Sequence, residues 1–273
     1  MQLPLKIELY LDDLRMAAYD RLYGGKRFPD PLLYRQAKLR YAPGVKMELL
    51  PGDIISKCIA CTGVYELPLT RRVTELGRKG GTFIDVGANL GYFSLLWAAA
   101  KPGNKCIAFE PSPRNIDILR RNVSRNGFES QIDVITAAAG RASGRLRFDP
   151  GPVEQTGWGG FADREAPGTI EVDVVRIDQV VPADAPIAML KVDIEGADAW
   201  AIMGCEQLFL AKMVQEIWFE QNKPRMQSLG IPANTCQEFL QSVGYLPFSH
   251  GDVSDDLVEW SAVPEEQGEK QAR

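Results

Sequence analysis

The stretch Phe-Ile-Asp-Val-Gly-Ala-Asn-Leu-Gly at residues 83–91 decides the fold, because a strand gives way to a helix within it. The apolar run Thr82 to Val86 follows two glycines and is too short for a helix, so it predicts a buried strand. Tyr92 to Ala100 is apolar and is followed by Pro102-Gly103, which predicts a helix. Glycines at such a turn let the backbone approach a ligand closely, and the start of the helix offers unpaired N–H groups. The sequence therefore predicts a ligand site at this turn.

A second signal lies on the next strand. The apolar run Cys106 to Phe109 ends at Glu110, and an acid in this place commonly accepts hydrogen bonds from the hydroxyls of a ribose. The glycine fingerprint of dinucleotide-binding folds is incomplete, since Asn89 stands where a middle glycine is expected. Together the two observations predict a cofactor that contains adenosine.

The charge of Asp85 favours one cofactor of this kind. This aspartate comes two residues before Gly87 and places a negative charge beside the turn. A cationic ligand suits such a site, which favours the sulfonium compound S-adenosylmethionine over a nicotinamide dinucleotide. A nicotinamide-dependent oxidoreductase on the same sheet stays an alternative. A catalytically silent module that only binds S-adenosylmethionine is a second one.

The composition is that of an ordinary soluble enzyme. The 273 residues are enough for one large α/β domain with additions. A net charge of −5 gives no basic face, so we expect no nucleic-acid partner. No apolar run is long enough to span a membrane, and the first residues lack the basic-then-apolar order of a signal peptide. Five cysteines without framework spacing indicate a reducing cytoplasm. No feature indicates an oligomeric state.

The pattern along the chain predicts a central domain with two additions. Residues 1–60 form an N-terminal extension, with a helix over Ile7 to Tyr23 and short strands from Gly44 to Cys61 around a Pro51-Gly52-Asp53 turn. Residues 61–263 form the cofactor-binding domain, in which residues 140–182 read as a β-hairpin insertion. Residues 264–273 are polar and read as a disordered tail.

Strands alternate with helices in the central domain, which predicts a Rossmann-like, mainly parallel sheet with helices on both faces. Ligands of such sheets bind beyond the carboxyl ends of the strands. Five residues fall at those ends and define the predicted site: Asp85, Glu110, Ala138, Asp193 and Glu220.

At this point the chain resembles the FkbM-type family of S-adenosylmethionine-dependent methyltransferases, from about Val45 to about Phe248. The matching pieces are Gly63-Val64-Tyr65-Glu66, the stretch Phe83 to Gly91, Ala108-Phe109-Glu110-Pro111 and Leu190-Lys191-Val192-Asp193-Ile194-Glu195-Gly196-Ala197-Asp198. The resemblance implies a seven-stranded methyltransferase sheet and methylation of a hydroxyl on a small molecule or sugar. One departure is Asp198, where glutamate is more usual.

The wider fold implies roles for the cofactor-binding residues. Asp85 should lie near the amino group of the methionine moiety, and Glu110 should hold the ribose. The remaining members of the predicted cofactor site are Tyr65, Glu66, Gly87, Asn89, Gly91, Tyr92, Pro111, Ser112 and Ala138. For Tyr65 and Glu66, closure over the cofactor competes with a surface role for Glu66.

Activation of a hydroxyl needs a base or a metal ion, because an alcohol is a poor nucleophile until its proton is taken. The candidate catalytic residues are Asp193, Glu195 and Glu220, with Asp193 or Glu220 as the direct base. A magnesium site formed by Asp193, Glu220 and Asn222 is the alternative, since Mg²⁺ prefers oxygen ligands. Glu195 and Asp193 also have structural interpretations, as a helix cap and as a cofactor-positioning residue.

Four further features have both a functional and a structural interpretation. His250, the single histidine, reads as an exposed turn residue rather than a catalytic one. Cys58 and Cys61 have metal or redox spacing but lie in what reads as an apolar strand, which favours buried thiols. The segment around Trp158 is either a mobile lid or a hairpin tip. Lys191 either pairs with a carboxylate or lies beside the cofactor.

Overall fold

The computed structural model describes residues 5–23, 34–162, 166–182 and 186–271, which form a mixed α/β structure. The elements of the first half are α1 (Leu5–Tyr23), β1 (Ala37–Leu39), β2 (Ala42–Met47), α2 (Ile54–Thr62), α3 (Leu67–Lys79), β3 (Thr82–Val86), α4 (Tyr92–Ala100), β4 (Lys105–Phe109), α5 (Pro113–Arg125), β5 (Ile132–Ile135) and β6 (Ala138–Ala139). The elements of the second half are β7 (Gly144–Asp149), a 3₁₀ turn (Thr156–Trp158), β8 (Gly160–Phe161), β9 (Ile170–Val175), α6 (Ile177–Val180), β10 (Ile187–Val192), α7 (Asp198–Met203), α8 (Glu206–Leu210), β11 (Ile217–Asn222), α9 (Lys223–Ser228), α10 (Thr235–Ser242), β12 (Tyr245–Ser249), β13 (Leu257–Pro264) and α11 (Glu265–Gln271).

The central sheet has seven strands in the order β12-β13-β11-β10-β3-β4-β5. Pairs among β3, β4, β5, β10 and β11 are parallel, whereas β13 is antiparallel to both β11 and β12. Alternate residues of β3 enter two separate cores: Phe83 packs with Trp97 of α4 on one face, and Ile84 and Val86 belong to the core on the other. The predicted Rossmann-like sheet with helices on both faces is confirmed.

The N-terminal extension contains the predicted helix and strands, but its last part differs from the prediction. Residues 54–62 form α2 rather than a strand, and the predicted boundary between residues 60 and 61 falls inside this helix. Asp53 causes the difference, because its side chain accepts a hydrogen bond from the backbone N–H of Ser56 at 2.7 Å and so caps the helix. Cys58 and Cys61 consequently lie on a helix, and neither forms a disulfide bond.

The insertion contains the predicted hairpin, since β7 and β9 pair antiparallel from Gly144↔Val174 to Phe148↔Ile170. The strands β8 and β6 also pair with this hairpin and form a second sheet of order β6-β9-β7-β8. The stretch from Ile132 to Ala139 forms two strands, β5 and β6, because the chain turns after Ile135 and passes from the central sheet to the second one.

The C-terminal segment is also more ordered than predicted. Residues 265–271 form α11 instead of a disordered tail. Gly268 packs so closely that an added Cβ would lie 2.7 Å from Leu246 Cδ1 and 3.7 Å from Val263 Cγ2. This contact attaches the helix to β12 and β13. Within the described residues, no helix combines the length and apolarity that crossing a membrane requires.

The turn after β3 yields a stability test. Gly87 has a φ of +77°, and an added Cβ would overlap the carbonyl oxygen of Asp193 at the end of β10. Gly103 has a similar φ of +86° but no atom within 4 Å of an added Cβ, so it is a matched control. We expect Gly103→Ala to lower the free energy of unfolding by about 1–2 kcal/mol. We expect Gly87→Ala to lower it by at least about 3 kcal/mol, because the overlap adds to the strain. Urea denaturation measures both values, and equal losses would contradict the close approach.

Candidate active site

A cavity of about 960 Å³ opens at the carboxyl ends of the central strands. This volume is at the upper end of the range for small-molecule sites, about 300–1,000 Å³. Its walls come from the turn after β3, the ends of β4, β10 and β11, the start of α2, and residues 155–161 of the insertion. The N-terminal extension, the central domain and the insertion therefore meet at this cavity. Its place beyond the carboxyl ends of the strands is the one expected for a ligand site of a parallel sheet.

Most of the predicted site residues line this cavity. Those that do are Tyr65, Glu66, Gly87, Asn89, Tyr92, Glu110, Pro111, Ala138, Asp193, Glu195, Glu220 and Asn222. Asp85, Gly91 and Ser112 do not line it.

Glu110 is fixed at one end of the cavity by backbone groups. One carboxylate oxygen accepts the N–H of Asn89 and the other accepts the N–H of Ser112, both at 2.8 Å. Burial raises the pKa of Glu110 to about 7, against the lowering effect of these N–H groups. A carboxylate has about four acceptor positions, of which Asn89, Ser112 and Asn115 occupy three, so Glu110 can still accept a hydroxyl proton from a ligand.

Asp85 lies behind the cavity wall rather than in it. It is fully buried, with one oxygen accepting the hydroxyl of Ser94 at 2.6 Å and the other 3.6 Å from Lys191 Nζ. Burial raises the pKa of Asp85, against the lowering effect of Lys191. Ser94 and Lys191 therefore hold this carboxylate in place behind the cavity wall, and Asp85 shares the charge of Lys191 with Asp193.

Lys191 pairs with two carboxylates and lies at the cavity wall as well. Its ammonium lies 3.3 Å from Asp193 Oδ2, in addition to its contact with Asp85. It also donates to the backbone carbonyl oxygens of Val86 and Gly87 at 3.4 and 3.3 Å. The pKa of Lys191 is raised by its two aspartate neighbours despite desolvation. One side chain thus joins the ends of β3 and β10.

Two other predicted residues have structural roles. At Gly91 an added Cβ would lie 2.5 Å from Leu119 Cδ1, so this glycine allows α4 to pack against α5. Ser112 occupies the N-cap position of α5, but its side chain makes no capping bond. The backbone N–H of Ser112 instead holds Glu110.

The opposite end of the cavity is acidic. The strand registers place Glu220 of β11 directly opposite Glu259 of β13, and Asp193 follows β10 on the other side of β11. Glu66 and Glu195 line the same space. Glu259 accepts a hydrogen bond from Trp218 Nε1 at 2.5 Å, whereas Oε1 of Glu220 is buried without a hydrogen-bond partner.

Burial and mutual repulsion raise the pKa values of these acids. Desolvation is the largest cause in each case, and the charge of Asp193 is the second. The pKa is raised to about 7 for Glu195 and Glu259, to about 8 for Glu66 and to about 10 for Glu220. At neutral pH some of these groups are therefore protonated and can donate hydrogen bonds.

Backbone strain concentrates around the cavity. Among the described residues, positive φ values outside glycine occur at Glu66, Asn89, Glu195 and Lys212, and the first three line the cavity. Glu195 accepts a hydrogen bond from Asn222 Nδ2 at 3.2 Å and lies 3.9 Å from Arg225 Nε. Strained residues of this kind are typical of functional sites.

Asp198 explains how the neighbouring loop keeps its shape. Its buried carboxylate accepts the backbone N–H of Gly196 at 3.2 Å and that of Glu220 at 3.4 Å. Aspartate, in place of the more usual glutamate, therefore ties the start of α7 to the end of β11.

His250 and Trp158 each had a functional and a structural interpretation, and the structure shows where they lie. His250 is exposed, bonds to Ser261 Oγ at 2.8 Å and stacks on Trp218, and it does not line the cavity. Partial desolvation of the ring nevertheless lowers the pKa of His250. Trp158 lines the cavity mouth with 52% of its surface exposed.

Several residues of the cavity are not predicted from the sequence. These are Glu259, Thr156, Arg225, Ile54 and Ile55. Glu259 comes from an antiparallel strand, and the others come from the insertion or from helices outside the motifs. Only the alternation of β13 could have placed Glu259 on a definite face.

Comparison with known proteins identifies relatives of the chain. The model of the methyltransferase FkbM domain matches residues 85–254. The methyltransferase sdnD of Sordaria araneosa is 26% identical over 65% of this chain and 76% of its own length. The 31-O-demethyl-FK506 methyltransferase FkbM of Streptomyces tacrolimicus is 28% identical over 47% of this chain and 61% of its own length. The crystal structure of methyltransferase FkbM from Methylobacillus flagellatus KT covers 85% of this chain at 15% identity, with 57% of its own length matched and a TM-score of 0.48.

The acidic end of the cavity predicts a pH dependence of stability. A carboxyl group whose pKa is higher in the folded state binds more protons there, so stability is present at low pH and falls as pH rises. We expect the free energy of unfolding to fall between about pH 5 and pH 8, the interval over which Glu66, Glu195 and Glu259 lose the protons that the folded state favours. Glu220→Gln should make the decline shallower and should stabilise the protein at pH 8 by about 1 kcal/mol or more. Urea denaturation over this pH range measures both effects.

Glu75→Gln is the control for this measurement. Glu75 is half exposed, and Lys79 beside it lowers its pKa, so its small contribution has the opposite sign. An unchanged slope in Glu220→Gln, together with a loss of stability at pH 8, would contradict the electrostatic interpretation of the cavity.

Proposed function

The chain belongs to the FkbM methyltransferase domain family, and from that premise we propose that it moves a methyl group from S-adenosylmethionine to a hydroxyl oxygen of a small molecule or sugar. The observation that carries the proposal is that Glu110, the predicted ribose ligand, lines the same cavity as Asp193 and Glu220, the predicted bases. The family decides against the nicotinamide-dependent oxidoreductase. Oxygen as the acceptor atom agrees with the name of the Streptomyces relative, a 31-O-demethyl-FK506 methyltransferase.

The residues at the Glu110 end fit the adenosyl part of this cofactor. Glu110 can still accept a hydrogen bond from a ligand hydroxyl, and Oδ1 of Asn89 is buried without a hydrogen-bond partner. The side chains of Ala138 and Phe148 add apolar surface to the same cavity. When bound, the cofactor supplies an electrophilic methyl group on sulfur. The adenosine half would then lie on groups that accept hydrogen bonds and on apolar walls.

Asp193 is the better placed of the two candidate bases. Its carboxylate has a cation beside it, because Lys191 Nζ lies 3.3 Å away, and 32% of its side chain is exposed. Glu220 has no such partner among the described residues, and burial beside Asp193 raises its pKa to about 10. We therefore assign proton removal from the hydroxyl to Asp193 and a hydrogen-bonding role to Glu220. Most of the acceleration of a methyl transfer comes from holding the reacting atoms in line, which the cavity walls provide.

A magnesium ion is the alternative means of activating the hydroxyl. Asp193, Glu220 and Asn222 do line the same cavity. Asp193, however, already has a cationic partner inside the protein, because Lys191 Nζ lies 3.3 Å from its Oδ2. We therefore propose activation by a carboxylate, and the assay below distinguishes the two.

The cysteines support a reducing location. All five lie in the described part of the chain, none of them forms a disulfide bond, and four of them are buried. We propose that the protein is cytoplasmic, as free buried thiols persist in reducing compartments.

The acceptor is best identified by transfer of a tritiated methyl group from S-adenosylmethionine to extracted metabolites. Parallel reactions with magnesium and with a chelator test the metal alternative. We expect the label on an oxygen atom and the same rate with chelator. A protein that binds S-adenosylmethionine but labels no acceptor would be the catalytically silent module.

Substitution of the proposed base gives the sharper test. We expect Asp193→Asn to bind S-adenosylhomocysteine with nearly unchanged affinity in calorimetry and to lose methyl transfer by about 100-fold or more. Asp173→Asn, at an exposed position of β9, is the matched control and should keep full activity. Normal turnover of Asp193→Asn would exclude the role of Asp193 as base.

A further inference from the structure

The insertion reaches the cavity through a buried turn. Residues 155–161 form one wall, and Thr156 at the start of the 3₁₀ turn is only 3% exposed. A hairpin tip that merely connected two strands would leave such a residue in solvent. The surroundings of Thr156 show what holds it.

Asp53 binds Thr156 from the N-terminal extension. One oxygen of its fully buried carboxylate accepts both the backbone N–H of Thr156 at 2.8 Å and its hydroxyl at 3.0 Å. The second oxygen caps α2 through the N–H of Ser56. Hydrogen bonds to a buried carboxylate are among the stronger ones in proteins. Asp53 thus joins α2 to the turn of the insertion.

The hydroxyl of Thr156 continues the connection to the cofactor end of the cavity. It accepts a hydrogen bond from Asn89 Nδ2 at 3.1 Å, and the carbonyl of Thr156 accepts one from Asn115 at 3.4 Å. The backbone N–H of Asn89 in turn holds Glu110. A chain of hydrogen bonds therefore runs from Asp53 through Thr156 and Asn89 to the predicted ribose ligand.

An unpaired atom of Asn89 also indicates a ligand in the cavity. Its amide donates to Thr156, whereas Oδ1 is buried, has no partner and belongs to a residue of the cavity wall. A buried acceptor without a partner costs free energy unless a ligand satisfies it. The positive φ of 51° at Asn89 adds strain at the same residue.

Close packing accompanies these hydrogen bonds. An added Cβ at Gly157 would lie 2.7 Å from Ile55 Cδ1, and the backbone N–H of Ile54 donates to the carbonyl of Glu154 at 3.0 Å. The turn is thus docked on the start of α2.

We propose that Asp53 and Thr156 are positioning residues that latch the insertion against the cofactor half of the cavity. The inference rests on the proposed function, since the ligand that the latch retains is S-adenosylmethionine or its product. Release of the Asp53–Thr156 contact is then a step in the exchange of cofactor. The latch controls the residence time of the ligand, not the methyl transfer itself.

The test removes the hydroxyl of Thr156 and keeps its shape. We expect Thr156→Val to release S-adenosylhomocysteine about 10-fold faster in stopped-flow experiments. Thr156→Ser keeps the hydroxyl and should restore the slow release. Thr169→Val is the matched control, because its hydroxyl bonds only within an exposed turn of the same insertion. Release and turnover should both stay unchanged in Thr169→Val, and restored slow release in Thr156→Ser separates loss of the latch contact from a general distortion of the insertion.

A second measurement needs no ligand. In the free protein, hydrogen exchange of the amides in residues 153–160 should be faster in Thr156→Val and in Asp53→Ser, a variant that keeps a residue able to cap α2. The double variant should resemble either single variant, because both remove the same contact.

The outcomes separate the latch from the proposed function. A wild-type protein that binds no S-adenosylhomocysteine would refute the cofactor, and the exchange measurement would still decide whether the contact holds the turn. Unchanged release and unchanged exchange in Thr156→Val would overturn the latch.

Discussion

The buried ammonium of Lys191 is the interaction on which the site depends. It lies where β3 and β10 run side by side, between Asp85 and Asp193, and it also holds the carbonyl oxygen of Gly87. Removing one partner of such a group leaves an uncompensated charge in the interior, which typically costs about 3–5 kcal/mol. The same ammonium therefore fixes both the turn after β3 and the carboxylate of Asp193, which border the cavity. The two halves of the cavity share this support, to which Asp85 contributes.

The acidic end of the cavity lowers the stability of the fold. Like charges directly opposite on neighbouring strands destabilise a sheet, and Glu220 faces Glu259 in this way. Glu66 and Glu195 add carboxyl groups in strained backbone conformations. Within the described residues, the ion pairs of Asp193 with Lys191 and of Glu195 with Arg225 neutralise only part of this concentration of acids. It does produce carboxyl groups with raised pKa values, which can donate as well as accept hydrogen bonds at neutral pH. A hydroxylated molecule needs both kinds of partner, and a purely apolar or basic pocket would offer fewer of them.

The sequence predicts what is local and repeated. The strand ending at Val86 and the helix from Tyr92 follow from residue type and length, and Glu110 follows from its place after the next strand. The prediction fails where one side chain changes the local preference, as Asp53 does by capping a helix over residues that read as a strand. It also fails for contacts between distant segments. Nothing in the pattern around Thr156 indicates that it lies against a residue more than a hundred positions away, since such pairing depends on how the insertion folds back.

Asn89 shows why the incomplete glycine fingerprint is informative. The backbone at this position has a φ of 51°, which asparagine tolerates better than most residues, so a glycine is not required for the turn. Glycine would supply no side-chain amide, and Thr156 would lose the hydrogen-bond donor that connects the insertion to the turn. The close approach that the turn does require occurs at Gly87, whose partner is the carbonyl of Asp193 rather than a phosphate. The motif therefore reflects two contacts within the protein. It departs from the dinucleotide pattern because the asparagine holds the insertion at the cavity.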